Sequence, residues 1–241
     1  MKFANFSSEE AIQKWVFESY EECKASYPIP VKSGIAFDVG ANIGGFCIHA
    51  HSHFDRIYAF EPLAQNYNIA ASVLEQMEIK NVVLYNTAIY SESGKTMTIY
   101  ANSETPLSGD VTIVPDGVQK EKYNSGQSCE TISLKDAMNT LGLEKINYLK
   151  LDCEGSEYEI LESFDEYDRI DWICMEIHGV YDDERRMNLL KKLHKHYYLI
   201  DCGLNGRYTI RELLEIEGTK PPSHYINHTN LLCINRNLFS L

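Results

Sequence analysis

Four acidic residues, Asp38, Glu61, Asp152 and Glu176, stand at or near the ends of short apolar runs. Those runs, at 35–39, 56–60, 146–151 and 170–176, have the texture of buried parallel strands. In an open α/β sheet, ligands bind beyond the carboxyl ends of the strands, where strand order reverses. Carboxylates gathered there make a negative crevice. It can hold a cation, accept hydrogen bonds from hydroxyls or take up a proton. Glycines frame the first turn. Gly40 lets the chain bend beneath a ligand, and Gly44 permits close packing where the next helix starts. Taken singly, Asp38 reads as a helix cap and Glu61 as a solvated strand end. At adjacent strand ends of one sheet, the two acids favour a cofactor site.

Two cofactor classes use such a site. A dinucleotide needs G-x-G-x-x-G, because its pyrophosphate approaches backbone amides closely. Here Asn42 stands at the second glycine position, and Asp38 places a carboxylate near the phosphates. S-adenosylmethionine reverses this logic. It has no phosphate, and it carries an ammonium and a sulfonium that a carboxylate attracts. Glu61 follows at a spacing that suits the ribose hydroxyls, although an acid at similar spacing also occurs in dinucleotide folds.

The segments Phe37-Asp38-Val39-Gly40-Ala41-Asn42-Ile43-Gly44, Ala59-Phe60-Glu61-Pro62, Leu149-Lys150-Leu151-Asp152-Cys153-Glu154-Gly155-Ser156-Glu157 and Met175-Glu176-Ile177-His178 resemble the FkbM-type methyltransferases. The resemblance spans roughly residues 34–236 and is weakest in the middle. It implies a class I methyltransferase fold: a Rossmann-like, doubly wound, mostly parallel seven-stranded sheet. It also implies S-adenosylmethionine as cofactor, and known members are mostly O-methyltransferases of sugar or natural-product hydroxyls. Carried over, the cofactor contacts are Asp38, Gly40, Asn42, Gly44, Glu61, Pro62 and Asp152, with Thr87 and Ala88 as neighbours of the adenine. Ser133 stands where an aspartate is common, and a serine caps a helix equally well.

Methyl transfer from a sulfonium is an in-line displacement, so holding the acceptor oxygen against the methyl carbon in a dry pocket is most of the task. An alcohol must also lose a proton, and a nearby base helps. The candidates are His178, Glu154 and Asp152, with His178 and Glu154 ahead. Each has a plainer reading. Asp152 contacts the methionine end of the cofactor, Glu154 and Glu157 cap the next helix, and His178 is a hydrogen-bonded strand end. Asp152, Glu154, Glu176 and His178 could also hold a divalent ion. Their spacing matches no metal signature, so no metal is expected. His224, Tyr225 and His228 line either the acceptor pocket or a plain loop.

The elements that must position these residues follow from the pattern. Ser7 and Glu10 form a capping box. It opens a helix within residues 1–30 whose Ile12, Trp15, Val16 and Tyr20 share a face that packs on the domain or lids it. Strands at 35–39, 56–60 and 81–89 alternate with helices at 42–51 and 63–77, which implies a parallel sheet with right-handed crossovers. Residues 91–131 form a β-rich excursion, with strands at 96–100 and 111–114 and a mobile loop near 115–126. The excursion and the loop at 203–230 are read as shaping the acceptor pocket. The rhythm resumes with a helix at 133–141, a strand at 146–151, a helix at 158–164 and a strand at 170–176. A helix at 182–196 and strands at 197–201 and 231–235 complete one domain over 1–241.

Composition narrows the partners. The chain has 241 residues, 44% of them hydrophobic, and a net charge of −13. Such acidity repels phosphate backbones, so no nucleic-acid partner is expected. Seven cysteines without a C-x-x-C pair argue for a reducing, cytoplasmic compartment rather than disulfides or structural zinc. No segment suits a membrane span or a signal peptide. The leading expectation is an O-methyltransferase acting on a small-molecule or glycan hydroxyl. The alternatives are an N- or C-methyltransferase, a dinucleotide-binding oxidoreductase and a non-catalytic binding protein.

Overall fold

The computed structural model describes residues 9–101, 111–112, 125–178, 183–202 and 228–239. The apolar runs become the strands of a seven-stranded sheet. In chain order they are β1 (Ile35–Val39), β2 (Arg56–Phe60), β3 (Val82–Tyr85), β8 (Ile146–Leu151), β9 (Ile170–His178), β10 (Tyr197–Asp201) and β11 (His228–Asn235). Their spatial order is β10-β11-β9-β8-β1-β2-β3. All neighbours are parallel except β11, which runs antiparallel to β9 and β10. The order reverses between β1 and β8, so the crevice opens at their carboxyl ends.

Alternation along the strands sends side chains to two cores. Phe37, Leu149, Leu151 and Ile173 meet apolar residues of α4 (Leu134–Thr140), α5 (Glu157–Ser163) and α6 (Asp183–His194) on one face. Ala36, Ile57 and Tyr148 meet Phe46, Cys47 and Ala50 of α2 (Gly45–Ala50) and Leu74 of α3 (Ala64–Gln76) on the other. Burial on both faces explains why these strands read as continuous apolar runs. The doubly wound expectation is met.

α1 (Glu9–Ser26) lies against α2. Its Ile12, Trp15 and Val16 pack on Ile43 and Ile69, as the spacing predicts. The approach is close: a Cβ on Gly45 would lie 2.2 Å from Ser19 Oγ. Ser133 caps α4, accepting a hydrogen bond from the Asp136 amide at 3.1 Å. Ser7, the loop at 115–124, His224 and Tyr225 lie outside the described residues.

Three local expectations are corrected. The helix predicted from residue 42 begins at Gly45, because Asn42 and Gly44 take left-handed φ values of 48° and 91°. The strand predicted over 81–89 is two strands. Asn86 Nδ2 donates to the carbonyls of Glu61 at 2.9 Å and Pro62 at 3.0 Å, which ends β3. The chain then enters a second sheet as β4 (Ala88–Tyr90). That sheet runs β4-β7-β5-β6, with β5 at Thr96–Ala101, β6 at Val111–Thr112 and β7 at Ser125–Ser133. β7 was not expected. Its Ser, Gly and Gln content lacks strand character, and pairing with β4 and β5 supplies what propensity does not.

Candidate active site

The turn after β1 is wedged between the ends of its neighbours. The amides of Gly40 and Ala41 both donate to Phe60 O at 3.0 Å. Gly40 has φ 78°, and a Cβ there would lie 1.8 Å from the Asp152 carbonyl. Only glycine permits this approach. Asn42 follows in a left-handed conformation that asparagine tolerates. Its amide donates to Glu61 Oε2 at 2.8 Å, and the Leu63 amide donates to Oε1 at 2.9 Å. Burial pushes the Glu61 carboxyl up to about 7, against the opposing pull of these amides and of Lys150.

Asp38 lies beneath this turn rather than facing ligand space. It is fully buried, its Oδ1 is 3.2 Å from Lys150 Nζ, and Cys47 Sγ donates to Oδ2 at 3.2 Å. Asp38, read from the sequence as a direct cofactor contact, instead faces Lys150 and Cys47 and lines neither cleft. Lys150 also donates to Gly40 O at 2.6 Å and lies 3.6 Å from Asp152 Oδ2. Burial works to lower its pKa, but Asp38 and then Asp152 raise it above the ordinary lysine value. The sequence carries a signal for this residue: a lysine inside an apolar parallel strand must find an anion.

The reacting end is built from the turn after β8 and the end of β9. Asp152 accepts a hydrogen bond from the Tyr27 hydroxyl at 2.8 Å. Burial works to raise its carboxyl, but Lys150, then His178 and the Tyr27 hydroxyl, hold it below the usual range. Glu154 has φ 52°, an uncommon conformation for a side chain of its size. Glu157 is fully buried and folds back to accept the amides of Cys153 at 2.8 Å and Gly155 at 2.9 Å. Its Oε1 also lies 3.1 Å from His178 Nδ1. The other ring nitrogen, Nε2, lies 3.4 Å from Glu154 Oε2 and 3.9 Å from Glu176 Oε1. Burial works to lower the His178 pKa, but Glu157 above all, then Glu154 and Asp152, raise it to about 10. The ring is thus an imidazolium at neutral pH and has no free site for a proton. Of the two candidates placed ahead as base, His178 is the one whose ring nitrogens both face carboxylates. Ligand atoms of Asp152, Glu154 and His178 lie within 4.8 Å of one another, close enough to share a cation.

Two clefts meet at this cluster. The first is lined by Glu61, Pro62 and Asn66 on the β2 side, by Ala88, Ile89 and Ile99 from the second sheet, and by Ser156 near α5. The second lies under α1, with Glu22, Cys23, Tyr27, Glu176 and His178 around it. Gly40, Asn42, Asp152 and Glu154 border both. Ala88 reaches the first cleft, whereas Thr87 instead donates to Glu130 O at 3.4 Å. The excursion, read as shaping the acceptor pocket, contributes Ile99 to the Glu61 cleft, and Gln127 Nε2 donates to Pro62 O at 3.3 Å.

No Lys or Arg lines the first cleft among the described residues, while Glu61, Asp152 and Glu154 do. A pyrophosphate would find no counter-charge there. A sulfonium with a ribose diol and an ammonium fits the donor set. Fold and site together define a class I methyltransferase. The sequence pattern of the methyltransferase FkbM domain matches residues 38–204, and the chain belongs to that family. S-adenosylmethionine is its cofactor. Among its relatives is the 31-O-demethyl-FK506 methyltransferase FkbM of Streptomyces tacrolimicus, 26% identical, with 66% of this chain and 72% of that protein aligned. Methyltransferase 1 of Beauveria bassiana is also 26% identical, over 70% of this chain and 73% of its own. SMU.1697c of Streptococcus mutans, solved in complex with S-adenosylhomocysteine, shares the fold at TM-score 0.50 and 12% identity. It covers 89% of this chain and 96% of that one.

Glu61 yields a pH-dependent expectation. A ribose diol donates to the ionised carboxylate, and protonation turns one of its oxygens into a competing donor and weakens the other as an acceptor. Because the free carboxyl sits at about 7, S-adenosylhomocysteine affinity should rise about tenfold from pH 6 to pH 8. Calorimetry across that range measures it, and Glu61→Gln should flatten the curve. A flat curve in the unaltered protein would remove the ribose role.

Proposed function

We propose that this enzyme transfers a methyl group to a hydroxyl of a sugar, glycan or related small natural product. The observation that carries this reading is the meeting of two clefts at the Asp152 and Glu154 carboxylates. One cleft is shaped for the donor, and the other, under α1, is left for the acceptor. Bound there, S-adenosylmethionine supplies an electrophilic methyl carbon on a positively charged sulfur. Glu61 holds the ribose, and Asn42 and Gly40 shape the turn beneath it. Glu154 would accept the hydroxyl proton as the acceptor oxygen bonds to the methyl carbon, the carbon–sulfur bond breaks and the sulfur leaves as the neutral thioether of S-adenosylhomocysteine. The His178 imidazolium, steadied by Glu157, holds Glu154 in place. Asp152, anchored by Tyr27 and Lys150, fixes the junction of the clefts.

A relative whose name gives a demethylated oxygen as its acceptor supports transfer to oxygen. A net charge of −13 disfavours an anionic acceptor. The test is methyl transfer from radiolabelled donor to a panel of sugars, glycans and polyols, with matched amines, with and without chelator. Labelled methyl ethers support the reading. Transfer to amines alone would replace it with N-methylation, and loss of activity on chelation would bring a metal into the Asp152, Glu154 and His178 cluster.

A further inference from the structure

Two buried polar atoms on opposite walls of the Glu61 cleft have no hydrogen-bond partner among the described residues. Asn66, in the first turn of α3, is 1% exposed. Its Nδ2 donates to Asn42 Oδ1 at 2.9 Å, but its own Oδ1 accepts nothing. Ser156, just before α5, is also 1% exposed. A serine at this position ordinarily accepts a bond from an amide of the first turn. Here it makes none: its backbone is already helical at φ −77° and ψ −5°, rather than extended as in a capping residue, and its Oγ is left without a partner. Both residues line the same cleft. Folded proteins leave few such atoms unpaired, since each lowers stability.

We infer that Asn66 and Ser156 recognise the adenosyl half of the methyl donor from two sides. An amide oxygen needs a donor, and the ribose hydroxyls beside Glu61 supply one. A serine hydroxyl can donate or accept, so it suits either a hydroxyl or the ring nitrogens and amine of the purine. Neither residue is charged, which matches a neutral nucleoside between them. Ala88, Ile89 and Ile99 give the apolar wall that a purine face requires. Asn66 is tied to the turn through Asn42, so donor binding and the conformation of that turn are coupled through one amide pair.

The inference rests on the adenosyl group lying in this cleft, and the experiment separates the two. S-adenosylhomocysteine and 5′-methylthioadenosine, which lacks the amino-acid end, are titrated into the unaltered protein and into Asn66→Ala, Ser156→Ala and Glu61→Gln. Asn66→Ala and Ser156→Ala should each weaken both ligands by about three- to tenfold, the factor of one neutral hydrogen bond. Ser156→Ala removes an unsatisfied hydroxyl, so the ligand-free protein should melt at the same temperature or higher. A purely structural serine would lower it. If Asn66→Ala does not fold, Asn66→Ser and Ser156→Ala carry the test. Unchanged affinities in these variants, with Glu61→Gln weakened, overturn the inference alone. Weakened S-adenosylhomocysteine with unchanged 5′-methylthioadenosine also overturns it, by moving both residues to the amino-acid end. A Glu61→Gln protein that binds 5′-methylthioadenosine normally denies the placement itself.

Discussion

Asp38→Ala should destabilise the ligand-free protein by about 3–5 kcal/mol, the usual cost of leaving one partner of a buried ion pair alone. The argument lies in the surroundings of Lys150. Its ammonium is buried, and Asp38 Oδ1 at 3.2 Å is its nearer carboxylate. Asp152 remains at 3.6 Å, and Gly40 O still accepts a hydrogen bond. That residual support puts the loss toward the lower end of the range. Donor affinity should fall as well, because Lys150 ties the Gly40 turn to Asp152. Urea unfolding and calorimetry with S-adenosylhomocysteine read the two effects. The double variant Asp38→Asn/Lys150→Met, which removes both charges, should recover part of the stability. Native stability and affinity in Asp38→Ala would remove the pair from the account.

Glu154→Gln should cut kcat by about 10²–10⁴-fold, the range for loss of a positioned base, while S-adenosylhomocysteine affinity stays near native. Glutamine keeps the size of the side chain but cannot take a proton. His178→Gln should cost less, because His178 acts through Glu154. Its pKa of about 10 keeps it charged at neutral pH. Steady-state kinetics on a methylated acceptor separates the two. Normal turnover in Glu154→Gln would pass the proton-accepting role to Asp152.

Much of the crevice at the strand ends is legible in the sequence because strand ends are. Asp38, Glu61 and Asp152 close apolar runs, and the sheet that those runs demand brings them together. Gly40 is legible as a bend after an apolar run, but the Asp152 carbonyl that would lie 1.8 Å from a Cβ there is not. The pairing partners are not legible. Asp38 and Lys150 are far apart in sequence, and whether a carboxylate faces a ligand or a lysine depends on which side of a strand it occupies. Asn66 and Ser156 look like ordinary helix-start residues until the cleft is closed around them. The break at Asn86 is hidden for a different reason. Asn81 to Ile89 has strand character throughout, and only the carbonyls of Glu61 and Pro62, a tertiary feature, stop the pairing.

Lys150 gives the enzyme a counter-charge that does not titrate in its working range. Three oxygen partners surround the ammonium and hold its proton firmly. The electrostatic background of the donor site therefore stays constant as the surrounding acidity changes. A response of donor binding between pH 6 and pH 8 is then expected to report Glu61 rather than the foundation on which the turn rests. The lysine acts as a standing ionic reference, and the adjustable group is the carboxylate above it.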